Sequence, residues 1–203
     1  MTKVKVVRNI ILFSLILIGA MACKDERSEL GDQYFKRGEY QKAIDAYTEY
    51  LRLEPTNIKS LYNRGRAYEE LGKYSKAIED FNRVLKEDPE NTNALLSIAS
   101  DYYYRQQDYE NTIYYADKVI SVEESAMAHT LKGKAYQKLG QLKEAMAAYN
   151  AAISVDKEYA DAYISRGSLR IYLNQRSRAC TDFKIANSLG ALNGEELLEK
   201  YCK

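Results

Sequence analysis

Apolar positions in this chain form pairs of helical stripes, and the pairs recur about every 34 residues. From Ile58, the residues Leu61, Gly65 and Tyr68 follow at spacings of four and three, which puts them on one helical face. Gly72 then marks a helix end, where a left-handed backbone is tolerated. Ala77, Phe81 and Val84 form a second stripe, and Pro89 stops its helix because it cannot extend the hydrogen-bond ladder. Gly65 and Ala77 are small where two helices must approach, and Phe81 is large enough to fill the space between them. The unit predicted is a helix hairpin. Ile78 and Leu85 lie off both stripes and need a neighbouring hairpin to cover them.

Four further copies carry the pattern. The first has Gly31, Tyr34, Ala43, Tyr47 and Pro55, and the fourth has Gly133, Tyr136, Gly140, Ala145, Tyr149 and Ala152. The third departs, with Ser100, Thr112 and Ala116 read at the glycine, alanine and aromatic positions, and its register is open by one residue. The fifth has Gly167, Ala179, Phe183 and Ala186, but Arg170 and Asn174 break the pattern. A period of this length means a stacked array whose repeats bury their faces against one another.

These residues resemble the tetratricopeptide repeat (TPR) over roughly residues 25–190. The resemblance implies an all-α, right-handed solenoid of about five hairpins over residues 28–190. It also implies a protein- or peptide-binding groove lined by the first helix of each repeat. The groove positions carried over are Tyr62 and Arg66, then Asp101, Tyr104 and Arg105, then Lys134 and Lys138. Thr130 and Gln137 fall on the same face. A carboxylate clamp of the chaperone-binding kind is not expected, since only Asn63 matches among Ser28, Asp32, Asn63, Ala94 and Ile98. Residues 191–203 read as a capping helix, because the last repeat otherwise leaves an apolar face in water.

The start of the chain reads differently. Lys3, Lys5 and Arg8 precede an apolar run from Ile10 to Ala22, too short for the roughly 20 residues that span a bilayer. This is the pattern of a signal peptide over residues 1–22, with Cys23 directly after it. The small residue before Cys23 resembles a bacterial lipobox, although Ala20 stands where leucine is usual. The resemblance implies acyl chains on Cys23, a short tether over residues 23–27 and an outer-membrane anchor, on the periplasmic face or the cell surface. Lys24-Asp25-Glu26 looks like a surface-export signal, or else a solvated charge cluster. In an exported chain Cys180 and Cys202 are expected to pair, leaving no spare thiol.

Charge excludes more than it suggests. The first 22 residues hold three of the 30 Lys+Arg and none of the 29 Asp+Glu, so the remainder carries a net charge of −2. There is no basic block of the kind nucleic acid requires. The single histidine, His129, falls at a packing position, and no metal-ligand spacing or nucleophile motif appears. No enzyme, cofactor or small-molecule substrate is expected. The function implied is a membrane-anchored scaffold that binds a protein partner, similar in architecture to TPR lipoproteins of envelope assembly. The rival readings are an adaptor or regulator of an envelope hydrolase and, more remotely, an enzyme.

Overall fold

The computed structural model describes residues 28–203. The expected signal segment, Cys23 and Lys24-Asp25-Glu26 lie outside the described residues. The chain divides into two compact units at Pro89–Glu90. In the first, helix α1 runs to residue 36 and is followed by α2 (Tyr40–Leu53), α3 (Ile58–Glu70) and α4 (Tyr74–Glu87). The second holds α5 (Thr92–Asp101), a π-helical turn (Tyr102–Gln106), α6 (Tyr109–Val122), α7 (Ala126–Lys138), α8 (Leu142–Val155), α9 (Ala160–Tyr172), α10 (Arg176–Ser188) and α11 (Gly194–Tyr201). No strand occurs among the described residues.

Four of the hairpins close on the same kind of contact. A Cβ placed on Gly31, Gly65, Gly133 or Gly167 would come within 2.5–2.6 Å of the ring of Tyr47, Phe81, Tyr149 or Phe183 respectively. These rings are almost wholly buried, as are Ala43, Ala77, Ala145 and Ala179 one turn earlier on the same helices. The aromatic ring therefore occupies the space that any other residue at the glycine would claim.

The third hairpin solves the same problem with different residues. Its glycine position is Ala99, not Ser100: Ala99 is fully buried and lies 34 residues from both Gly65 and Gly133. Its aromatic position is Ala116, also fully buried, so a small pair replaces the glycine–ring pair. The second helix of this hairpin also starts one residue late. In the other hairpins the residue before the second helix donates its N–H to a carbonyl five residues back, as Lys73 does to Tyr68 and Gln141 to Tyr136. Here Asp108 N–H reaches six residues back, to the Tyr102 carbonyl, and the π-helical turn holds the extra residue. A shorter link between α6 and α7 returns the chain to register, with Asn57, Asn91 and Ser125 capping α3, α5 and α7 at intervals of 34.

Two buried ion pairs repeat as well. Asp80, 2% exposed, accepts from Arg64 Nε at 2.8 Å and Nη2 at 2.7 Å. Arg64 Nη1 also donates to Thr48 on the preceding second helix. In the last hairpin Asp182 accepts from Arg166 in the same way, and Arg166 Nη1 donates to Asn150. Each guanidinium thus stitches its own hairpin to the preceding helix. At the end of the chain α11 packs on α10. Cys180 and Cys202 are joined by a disulfide with Cα atoms 5.6 Å apart, and Arg176 donates to the carbonyls of Tyr201 and Lys203. Closing a loop of this length contributes about 3 kcal/mol in the chain-entropy account.

Two substitutions test this packing. Gly133→Ala is expected to cost about 1–3 kcal/mol through overpacking against Tyr149, whereas Ala99→Gly costs only the roughly 1 kcal/mol of helix propensity. Denaturant midpoints decide it, and equal losses would mean that the ring contact is not what sets the hairpin. Separately, Gln107 closes the π-helical turn at φ +54°, in the left-handed region. Its replacement by glycine is expected to raise stability by about 1 kcal/mol in the same assay.

Candidate functional site

The residues directly after the plugged glycines of the first unit are Arg66 on α3 and, on α1, Asp32. Asp32 accepts from Tyr47 Oη at 2.6 Å, from Asn63 Nδ2 at 2.9 Å and from Lys59 Nζ at 2.6 Å. Burial opposes its ionisation, but the bonds from Lys59, Tyr47 and Asn63 outweigh that and hold the carboxyl below its ordinary value. Asn63, the one residue matching a carboxylate clamp, is therefore already engaged. Tyr62 and Arg66 come together on α3: Arg66 Nη1 donates to Tyr62 Oη at 3.4 Å, and Arg66 Nε pairs with Glu69 at 3.0 Å. The Tyr62 ring also leans on Phe81, with centroids 5.6 Å apart.

The second unit carries the better-formed site. A cavity of about 340 Å³ opens between α7, α9 and the π-helical turn. Lys134, Gln137 and Lys138 line it from α7, Asp161, Ile164 and Ser168 from α9, and Tyr103 and Tyr149 form its inner wall. Lys134 Nζ donates to Asp161 at 2.7 Å. The spacing is 27 residues, the same as in the Lys59–Asp32 pair, with the charges exchanged. Tyr149 Oη donates to Gln137 at 2.9 Å, so a ring that plugs the hairpin also delivers its hydroxyl to the groove. Tyr104 stands outside this wall, 63% exposed, with its ring edge-on to Tyr103 at 4.8 Å. Tyr159 packs instead against Ala126, Ala152 and Ala162, and its phenol is pushed up to about 12 by burial and then by the nearby Asp161 carboxylate. Burial raises Tyr103 and Tyr149 in the same direction.

Several sequence expectations change here. Asp101 is not a groove ligand: it is buried, and its two oxygens accept from Arg105 Nη1 and Gln106 Nε2. Its carboxylate pins the π-helical turn, and Arg105 is tethered to it. Thr130 is likewise buried. Lys134 reaches the groove but is paired, while Lys138 is exposed on the rim. Tyr103, Tyr149 and Asp161 line the site although the repeat pattern assigned them elsewhere or not at all. The signal available for Asp161 was the 27-residue spacing of Lys59 and Asp32. His129 is mostly buried and faces Glu124 at 3.0 Å. Among the described residues no three His, Cys, Asp or Glu side chains are grouped to hold a metal ion.

The cavity offers the side chains of Lys134 and Lys138, a carboxylate, an amide, and the rings of Tyr103 and Tyr149. Residues 31–72 and 128–170 match the TPR repeat family, and residues 58–91 match the tetratricopeptide repeat. The chain belongs to the tetratricopeptide-repeat family. Its all-α hairpins are those of solved TPR structures. MamA is 26% identical, with 88% of this chain and 94% of that one covered at a TM-score of 0.69. PilW, described as a widely conserved type IV pilus biogenesis factor, is 18% identical, with 89% and 94% covered at a TM-score of 0.71. A curated relative, DnaJ homolog subfamily C member 3 homolog of Dictyostelium discoideum, is 26% identical over 80% of this chain. This chain spans about a third of that relative's length.

The hydroxyl network predicts a pH dependence. Tyr47 and Tyr149 hold their protons more tightly folded than unfolded, so their contribution is complete below about pH 10 and is lost as pH rises above it. Asp32 acts in the opposite direction: its contribution is present above about pH 4 and is lost as pH falls through its depressed folded value. Denaturant midpoints are expected to fall at both extremes, and Tyr47→Phe is expected to reduce the alkaline loss. A wild-type midpoint unchanged through the tyrosine range would contradict the assignment.

Proposed function

We propose that this TPR protein is an adaptor that holds a peptide segment of a partner protein along its first-helix faces, while acyl chains on Cys23 anchor it to a bacterial outer membrane. The carrying observation is the cavity of Tyr103, Lys134, Gln137, Lys138, Asp161 and Ser168, flanked by exposed Tyr104. Aromatic side chains beside charged ones suit the anchors of protein interfaces. Support for the anchor is the apolar run from Ile10 to Ala22 that ends at Cys23. Support for an envelope assembly role is limited to shared architecture, since PilW is similar in fold at 18% identity.

The test places a photoreactive benzoylphenylalanine in cells at Tyr104, at Lys138 or, on the second helix α10, at exposed Lys184. Crosslinks to a partner are expected from the first two positions and not from the third. Tyr104→Ala is expected to weaken capture about fivefold, on the order of 1 kcal/mol, without lowering the melting temperature. Cys23→Ala is expected to move the protein to the soluble fraction. Crosslinks from Lys184 alone would remove the groove from the reading, and salt-resistant membrane retention of Cys23→Ala would remove the anchor.

A further inference from the structure

One position of the repeat changes character in the last hairpin. Three residues after the glycine or alanine, the first four copies carry Tyr34, Tyr68, Tyr102 and Tyr136, and the fifth carries Arg170. Three of those rings receive cations: Arg37 and Lys42 over Tyr34, Arg64 and Lys76 over Tyr68, and Lys132 over Tyr136, at 5.0–5.9 Å from the centroids. The counterparts of Arg64 and Lys76 remain in the fifth copy as Arg166 and Arg178, but the ring between them has become a third guanidinium.

The available anion does not balance this cluster. Asp182 accepts from Arg166 Nε and Nη2 and from Arg170 Nη1, so one carboxylate serves two guanidiniums. Arg170 Nη1 also donates to the Arg178 carbonyl at 3.3 Å. Arg170 Nε is buried and has no acceptor. Burial, reinforced by Arg166 and Arg178, holds the Arg170 guanidinium below its ordinary value against the pull of Asp182.

A cavity of about 480 Å³ opens at this point between α8, α9 and the start of α10. It shares no lining residue with the Tyr103–Ser168 cavity. Leu142, Met146 and Leu173 give it an apolar wall, Lys143, Arg170 and Arg178 give it three cations, and no carboxylate lines it. The volume lies within the range of ordinary ligand clefts.

We propose that this cavity is a second binding site, specific for a carboxylate carried beside an aliphatic side chain on a peptide. The carboxylate balances the Lys143, Arg170 and Arg178 cations that line the cavity, and the aliphatic group covers Leu142, Met146 and Leu173. Either a Glu side chain or a chain-terminal carboxylate meets this chemistry. The site works independently of the first-helix groove.

The test is titration of the purified protein with the acetylated tetrapeptide amide Gly-Leu-Glu-Leu, followed by NMR of the Arg170 Nε–H and the Met146 methyl. A second arm uses acetyl-Gly-Gly-Leu with a free terminal carboxylate, and the controls are the Gln form of the first peptide and sodium phosphate. Both resonances are expected to shift with at least one carboxylate peptide, and the arm that binds identifies the source. Binding is expected to weaken about fivefold or more in the Gln form and in Arg178→Glu, whose exposed position spares the fold. Arg170→Tyr, which restores the residue of the other repeats, is expected to abolish binding while leaving the melting transition cooperative. Equal shifts with the Gln peptide, full reproduction by phosphate alone, or no shift at millimolar peptide would each overturn the proposal. Loss of groove crosslinking in cells would not affect it.

Discussion

Four of the described hairpins depend on a ring meeting a bare backbone. Where Tyr47, Phe81, Tyr149 or Phe183 lies against its glycine, the ring fills the space that a Cβ there would claim. That contact fixes which residues face inward, and so which face outward onto the first-helix surface. The choice between Tyr and Phe at the plug then matters for function. Phe81 and Phe183 end inside the hairpin, whereas Tyr47 and Tyr149 pass a hydroxyl through to Asp32 and Gln137. The residue that holds the hairpin together also helps set the polarity of the surface it creates.

The third hairpin shows how much freedom this constraint leaves. Ala99 and Ala116 replace a very small and a very large residue with two small ones. Its extra residue is held in a single π-helical turn rather than spread along the helix. The turn carries Tyr103 to the wall of the cavity and leaves Tyr104 exposed beside it. Asp101 stabilises this geometry from within, by binding Arg105 and Gln106. Irregular helix here coincides with the part of the chain that contributes aromatic surface to the groove.

The repeat and its hairpins were legible in the sequence because glycine, alanine and aromatic at fixed offsets admit one packing solution. The third copy was not, for a definite reason. Its inserted residue is cancelled by a shorter link before α7, so the 34-residue count is right on both sides and wrong only between them. Ser100 was accordingly read for Ala99. The site was legible as a face but not as a network. Residue type places Lys134 on the groove, but only coordinates show that Asp161 neutralises it and that Lys138 stays exposed. Asp101 was misread for the same reason, since a polar residue at a surface register can still be turned inward by neighbouring donors.

Internal repetition gives this chain its own control for each position. A residue kept in every copy answers to packing, as the glycine or alanine beneath the plug does. A residue that changes in one copy while its surroundings persist needs another cause. Asp32–Lys59 and Lys134–Asp161 exchange charges across the same 27-residue spacing, so the ion pair satisfies geometry while its polarity is free to vary. Arg170 differs in kind. It takes up part of the role that Arg83 plays beside Asp80, since Asp182 accepts from Arg166 and Arg170 as Asp80 does from Arg64 and Arg83. That exchange accounts for one of its nitrogens. It does not account for the buried Nε or for the cations gathered around it, so packing alone does not explain why the tyrosine was given up at this position.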